Sequence, residues 1–303
     1  MIVRCACLLI ALFLSNPLFA AGLPVVKYVI DGQQIQFKGQ KIAEGGGYVF
    51  NPLADKSVVI STTNWPPYIS DEPCGKGWAF DLAIAVLTSR GYKVTIKFLP
   101  WSRAVMTVES GWADILYPEY FIEDSAPSDH FKNTFRKSLV ALSNPFPGGN
   151  ISLMKRRSDP KLYFGDVQHL RGMKIGVVRG YQNSPEFDAM MDDGLFEVLA
   201  ANDDLQLVKL LLAKRVDLII GDPKVFRYSV ATSNLPQLIK QQAEEIMEEV
   251  VPAVSYNPLH FAVSRQNANW EQLIKDINDG LNKLQANGEL ERLINAETTC
   301  GKH

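Results

Sequence analysis

The spacing of apolar positions changes period several times along the chain. Residues 57–61 form a short β-branched run that predicts a strand. Residues 80–89 carry apolar side chains at helical spacing, with Asp81 suited to the first turn. Residues 93–98 alternate as a strand. Residues 102–108 read as a helix with Ser102 as its cap, and 113–117 as the next strand. The same grammar returns further on. A strand over 173–178 ends at Arg179-Gly180-Tyr181, and Ser184-Pro185-Glu186 opens a helix with proline at a tolerated first-turn position. A short strand covers 197–200. Asp203-Asp204 starts a helix through 214, and a strand over 216–220 ends at Gly221-Asp222. A strand over 260–264 and helices over 270–284 and 289–294 close the series.

Two segments make an internal duplication visible. One runs from 102 to 118 through Gly111-Trp112-Ala113-Asp114, the other from 204 to 223 through Lys214-Arg215-Val216-Asp217. Each reads as helix, tight turn, aspartate and buried strand. Alternating strands and helices imply mostly parallel sheets covered on both faces, so the chain is expected to hold two α/β lobes rather than one long sheet. The stretch Asn144-Pro145-Phe146-Pro147-Gly148-Gly149, followed by an apolar run at 151–155, predicts a crossing into the second lobe. A return crossing is predicted over 251–257. Lobe one is then 57–149 plus 256–303, and lobe two is 150–255. Two crossings make a hinge suited to closure around a ligand. Residues 21–56 form an accessory segment, with a hairpin signal at Asp31-Gly32 and a break at Gly45-Gly46-Gly47.

Residues 1–20 read as a cleaved signal peptide. Arg4 precedes an apolar stretch over 5–14, Pro17 breaks it, and Ala20 ends the segment with a small residue. The apolar stretch is too short for a stable membrane span, and no cysteine follows it to carry a lipid. The expected location is the periplasm. Cys5 and Cys7 leave with the signal, so the remaining pair is Cys74 and Cys300. An oxidising compartment and the flanking Pro73, Gly75 and Gly301 favour a bridge between them over two free thiols. Closing so long a loop is worth at most about 5 kcal/mol. The formal net charge of −2 and 21% charged residues give no basic surface for nucleic acid. His130, His169, His260 and His303 lack metal-ligand spacing, so no metal is expected. Gly176-Val177-Val178-Arg179-Gly180 lacks the glycine spacing of a dinucleotide site, and no other cofactor signature is present. The chain is expected to act as a monomer.

Several motifs in order carry a likeness. They are Asn64-Trp65-Pro66-Pro67-Tyr68, Gly77-Trp78-Ala79-Phe80-Asp81, Gly111-Trp112-Ala113-Asp114, Leu170-Arg171-Gly172-Met173-Lys174-Ile175-Gly176 and Val216-Asp217-Leu218-Ile219-Ile220-Gly221-Asp222, followed by Ile277-Asn278 and Gly288-Glu289-Leu290. Over residues 57–297 the chain resembles the extracellular solute-binding proteins of family 3, the polar amino-acid-binding type. The resemblance implies a two-lobed periplasmic-binding-protein fold of type II, the Venus flytrap, with two hinge crossings. It also implies an amino-acid-like ligand, often delivered to an inner-membrane transporter. In the family a Ser/Thr-rich loop ending in arginine grips the ligand carboxylate. Here the corresponding loop, Tyr117-Pro118-Glu119-Tyr120-Phe121-Ile122-Glu123-Asp124-Ser125, has no arginine.

Ligands of α/β sheets bind beyond the carboxyl ends of strands. That rule selects Trp65, Tyr68, Tyr117, Glu119 and Tyr120 on lobe one, and Gly180, Tyr181, Gln182 and Asp222 on lobe two. Trp65 and Tyr68 ride a stiff Pro-Pro loop and suit stacking or cation binding, the alternative being core packing. The resemblance puts Asp222 against the ligand ammonium; a helix cap before Pro223 is the alternative. Arg103, in Pro100-Trp101-Ser102-Arg103, is a substitute for the missing carboxylate-binding arginine, or else a surface residue. Asp114 and Asp217 precede their strands and read as structural. The expected function is capture of a small polar, amino-acid-like metabolite by hinge closure, for transport and without catalysis. The alternatives are a dehydratase-like enzyme on the same scaffold and a sensing module for a membrane signalling partner.

Overall fold

The computed structural model describes residues 23–43, 46–71, 75–160 and 163–296. The signal-peptide segment, Cys74 and Cys300 lie outside the described residues.

The first strands are β1 (Val25–Ile30), β2 (Gln33–Lys38), β3 (Gln40–Lys41), β4 (Tyr48–Phe50) and β5 (Lys56–Thr62). β1 and β2 form an antiparallel hairpin turning at Asp31 and Gly32, both at positive φ. Lobe one continues with α1 (Trp78–Ser89), β6 (Tyr92–Phe98), α2 (Trp101–Glu109), β7 (Ile115–Tyr120), α3 (Arg136–Leu139) and β8 (Val140–Leu142). The long β9 (Phe146–Arg156) leads into lobe two, made of β10 (Lys174–Val178), α4 (Pro185–Asp192), β11 (Glu197–Ala201), α5 (Asp204–Leu212), β12 (Leu218–Gly221), α6 (Pro223–Thr232) and α7 (Gln237–Ile246). The 18-residue β13 (Met247–Ser264) returns, and α8 (Trp270–Ala286) and α9 (Glu289–Asn295) follow.

Strands β5, β6 and β7 pair in parallel, and so do β10, β11 and β12. The central strands β7, β10 and β12 are largely buried on both faces because helices cover both sides. Nine of the twelve residues of α1 are buried, since the helix is enclosed by the sheet, by α8 and α9, and by β1. The hairpin is fastened there by a 3.0 Å bond between the hydroxyls of Tyr28 and Thr88.

Hydrogen bonding runs without a break from β11 through β9 and β13 to β3. The two lobes were expected to have separate sheets. They are joined because β9 and β13 serve both. β12 pairs with Ser152 to Lys155 of β9, whereas β7 pairs with the far end of β13, from Leu259 to Val263. Between these ends the register of β9 against β13 shifts at Val250/Ser255 and again at Asn257/Leu259. Such irregularities interrupt the ladder and let a strand pair bend locally.

Each lobe contains the same clamp. Val59 N–H donates to Asp114 Oδ2 at 2.7 Å, and Asp114 N–H returns a bond to the Val59 carbonyl. Lys174 N–H donates to Asp217 Oδ2 at 2.9 Å, and Asp217 N–H returns one to the Lys174 carbonyl. The two aspartates secure neighbouring strands at the end away from the cleft. Two local expectations change. The side chain of Ser102 does not cap α2, whose N-cap is Pro100. β7 continues through Pro118, Glu119 and Tyr120, which were read as loop.

Candidate functional site

After β5 the chain turns sharply through the Pro66-Pro67 pair. Trp65 N–H bonds the Ile69 carbonyl at 2.7 Å, and the Tyr68 carbonyl accepts from Ala79 N–H at the start of α1. Gly77 permits this approach. It has φ +84°, and a Cβ there would overlap the Tyr68 carbonyl. The loop therefore fixes Trp65 and Tyr68, whose rings stack with centroids 4.4 Å apart. Tyr120 meets Trp65 edge-on at 5.5 Å.

On lobe two the chain leaves β10 at Gly180, with φ +78°. Tyr181 turns back to place its hydroxyl 3.2 Å from Asp204 Oδ2 at the start of α5. Asp222 caps α6, accepting from Lys224 N–H through Oδ1 at 2.7 Å. Its other oxygen, Oδ2, accepts from the Tyr68 hydroxyl at 2.6 Å. The cap and the cleft residue, posed as alternatives, are the same carboxylate. This bond joins the lobes directly. Gly149 on β9 makes it sterically accessible, because a Cβ there would overlap both Asp222 Oδ2 and the Tyr68 hydroxyl. A second link runs from Trp101 Nε1 to the Gly180 carbonyl at 3.0 Å.

Between these links lies a cavity of about 20 Å³, room for roughly one water. Trp65, Glu119, Tyr120, Tyr181 and Gln182 line it, together with Trp101. A larger cavity of about 250 Å³ shares Tyr181 and Gln182 with it and includes Gly180. Tyr68 and Asp222 meet beside the smaller cavity, and the hydroxyl of Tyr120 and Oε1 of Gln182 are buried without a hydrogen-bond partner.

Two sequence candidates fall elsewhere. Tyr117 is fully buried, packed on Phe261 and Phe146, and donates its hydroxyl to the Ala79 carbonyl at 2.8 Å. Its neighbours Pro118, Glu119 and Tyr120, nearer the end of β7, line the cavity instead. Arg103 is exposed on α2 and lines neither cavity; two positions earlier on the same helix, Trp101 reaches the cleft instead. Arg179 is exposed as well.

Glu119 lines the cavity, but its charge is answered. Arg136 Nη2 donates to Glu119 Oε2 at 2.8 Å and Arg136 Nε donates to Glu109 Oε1 at 2.9 Å, all three residues being buried. Asp222 has no such partner; among the described residues no lysine or arginine side chain forms an ion pair with it. Burial pushes the Asp222 carboxyl above its ordinary range, and the Tyr68 hydroxyl and the Lys224 amide partly offset this. Burial likewise raises Asp204 to about 7. Arg136, Asp204, Trp101 and Gly149 were not singled out in the sequence as site residues. Asp204 carried a helix-start signal, and Trp101 stood inside a quoted motif. Nothing local marked Arg136 or Gly149, whose roles depend on contacts across the fold.

Comparison with solved structures finds the same fold in several proteins. A histidine kinase sensor domain with similarity to periplasmic binding proteins aligns at TM-score 0.63 and 19% identity, over 78% of this chain and 93% of its own. An ancestral arginine-binding protein bound to arginine aligns at 0.61 and 21%, over 79% and 97%. The GluR0 ligand-binding core from Nostoc punctiforme, in complex with L-glutamate, aligns at 0.59 and 16%, over 78% and 96%. At these identities the likeness establishes the two-lobed fold alone. No curated protein sequence matches the chain at a significant level. The model of the bacterial extracellular solute-binding proteins, family 3, matches residues 58–296, and the chain belongs to that family.

Proposed function

We propose that this protein is a periplasmic binding protein that captures a small polar metabolite carrying an amino group, by closing its two lobes, and delivers it to an inner-membrane transporter. The observation that carries this reading is the 2.6 Å bond from Tyr68 to Asp222, which brings the two proposed ligand-gripping surfaces into contact. With the lobes in contact the cavity beside that bond holds little more than a water, so a metabolite requires them to separate. β9 and β13 supply the hinge, and their interrupted register is where bending is easiest. We place lobe one at 57–149 plus 256–303 and lobe two at 150–255. In the liganded state an amino group takes the place of the Tyr68 hydroxyl on Asp222, as a stronger, charge-assisted partner. Trp65, Tyr68, Glu119, Tyr120, Gly180, Tyr181 and Gln182 form the rest of the site.

A thermal-shift screen of polar metabolites, followed by calorimetry on the hits, tests this. A true ligand raises the melting temperature by linkage. Failure of every compound in a broad amino acid, amine and organic acid panel would sink the reading. The likeness to a sensor domain supports a second reading, in which the closed form is read by a membrane signalling partner. Capture of a transporter or of a receptor from membranes, in the presence of ligand, separates the two.

A further inference from the structure

Two polar groups facing the cleft are left without partners. Tyr120 is 7% exposed, lines the small cavity, and its hydroxyl has no partner. Gln182 Oε1, an acceptor only, is buried without a partner and lines the same cavity from the other lobe. Unpaired buried acceptors are costly, and a ligand rich in N–H donors relieves that cost. None of the residues lining the small cavity is lysine, arginine or histidine.

Groups that could welcome an anion are in part engaged already. The amide at the start of α6 is taken by Asp222, that of α5 by Asp203, and that of α4 by Ser184. Arg136, which lines the larger cavity, is held between Glu109 and Glu119. The larger cavity adds Glu123, Asp129, Asp188 and Asp192 to its walls. A carboxylate entering the larger cavity meets negative charge, whereas a cation meets carboxylates there and the rings of Trp65 and Tyr120 in the smaller one.

Building on the binding-protein reading, we infer that the ligand is a linear organic diamine without a carboxylate. One ammonium sits between Asp222 and the rings of Trp65, Tyr68 and Tyr120. The chain passes Tyr181 and Gln182, and the second ammonium lies in the larger cavity near Asp188 and Asp129.

Matched pairs test the point, since each differs by one carboxylate. Calorimetry compares 1,5-diaminopentane with lysine, and agmatine with arginine. Each decarboxylated amine is expected to bind at least about 10-fold more tightly than its parent amino acid. Tyr120→Phe is expected to weaken 1,5-diaminopentane severalfold with an unchanged melting temperature, and Asp222→Asn to weaken it further. Should Asp222→Asn fail to fold, Tyr120→Phe carries the test. Lysine or arginine binding as tightly as its amine overturns the diamine inference and leaves the binding-protein reading intact. Retention of full diamine affinity in Tyr120→Phe and Asp222→Asn overturns the placement. Silence from all four compounds overturns the inference as well; the wider panel then decides the binding-protein reading separately.

Discussion

Glu119 on lobe one and Asp222 on lobe two stand at the cleft ends of strands that follow the same clamp, yet they do different work. Both are buried. Glu119 faces a guanidinium shared with Glu109, inside a triad that is satisfied without any ligand. Asp222 is hydrogen-bonded by a tyrosine hydroxyl and backbone amides, with the Lys224 charge nearby but no ion pair to it among the described residues. The lesson is that a carboxylate in a cleft is informative only through its partners. One already paired with a buried cation maintains the wall, and one held by neutral donors remains free to exchange a donor for a cation.

The comparison can be broken most directly at Arg136. Arg136→Met strands two buried carboxylates and should cost about 3–5 kcal/mol in urea unfolding. A loss under about 1 kcal/mol would mean that Glu119 is not held as described. Next in size is a paired test of the carboxylates themselves. Asp222→Asn keeps a good helix cap while removing charge, so ligand affinity should fall by about 1.5–3 kcal/mol with stability nearly unchanged. Glu119→Gln should show the opposite pattern, with loss concentrated in stability. Equal affinity losses for both would erase the distinction between the lobes.

The shared clamp offers a control. Asp114→Ala and Asp217→Ala should each cost about 1–3 kcal/mol in unfolding experiments, because each strips a strand N–H of its acceptor. Ligand affinity measured in the folded fraction should hold. A marked asymmetry between the two would show that the repeated geometry is not repeated in energy. The smallest effect concerns pH. Burial raises Asp204 to about 7, with Asp203 and Asp222 pushing the same way and the Tyr181 hydroxyl opposing. Between its unfolded value and about 7 the folded protein holds a proton that the unfolded chain has released, so this group's contribution declines as pH rises. Asp204→Asn should therefore raise the urea midpoint at pH 8 relative to pH 5, by about 1 kcal/mol in the difference. An unchanged pH slope would refute the assignment.

Much of the fold was readable before any coordinates. The strand at 57–61, the helix at 80–89 and the paired aspartates Asp114 and Asp217 were placed by period and by repeat, because burial on both sheet faces leaves continuous apolar runs. Of the candidate site, one pair is brought together. Tyr68 and Asp222 were chosen from strand ends, and they touch. Tyr117 lies three residues before the end of β7, and its side chain packs on Phe146 and Phe261 rather than at the cavity. Arg103 was chosen for its chemistry, but helix geometry turns Trp101 to the cleft and leaves the guanidinium in solvent.

What the sequence alone determined was the two-lobed α/β plan, because periodicity reports which faces are buried, and burial is the dominant local constraint on strands and helices. What only the tertiary structure decided was which charges are spoken for. Arg136 reaches Glu109 across 27 positions and Glu119 across 17, and Tyr68 reaches Asp222 across 154. Electrostatic pairing depends on distance in space and on the water excluded there, and neither quantity is written along the chain.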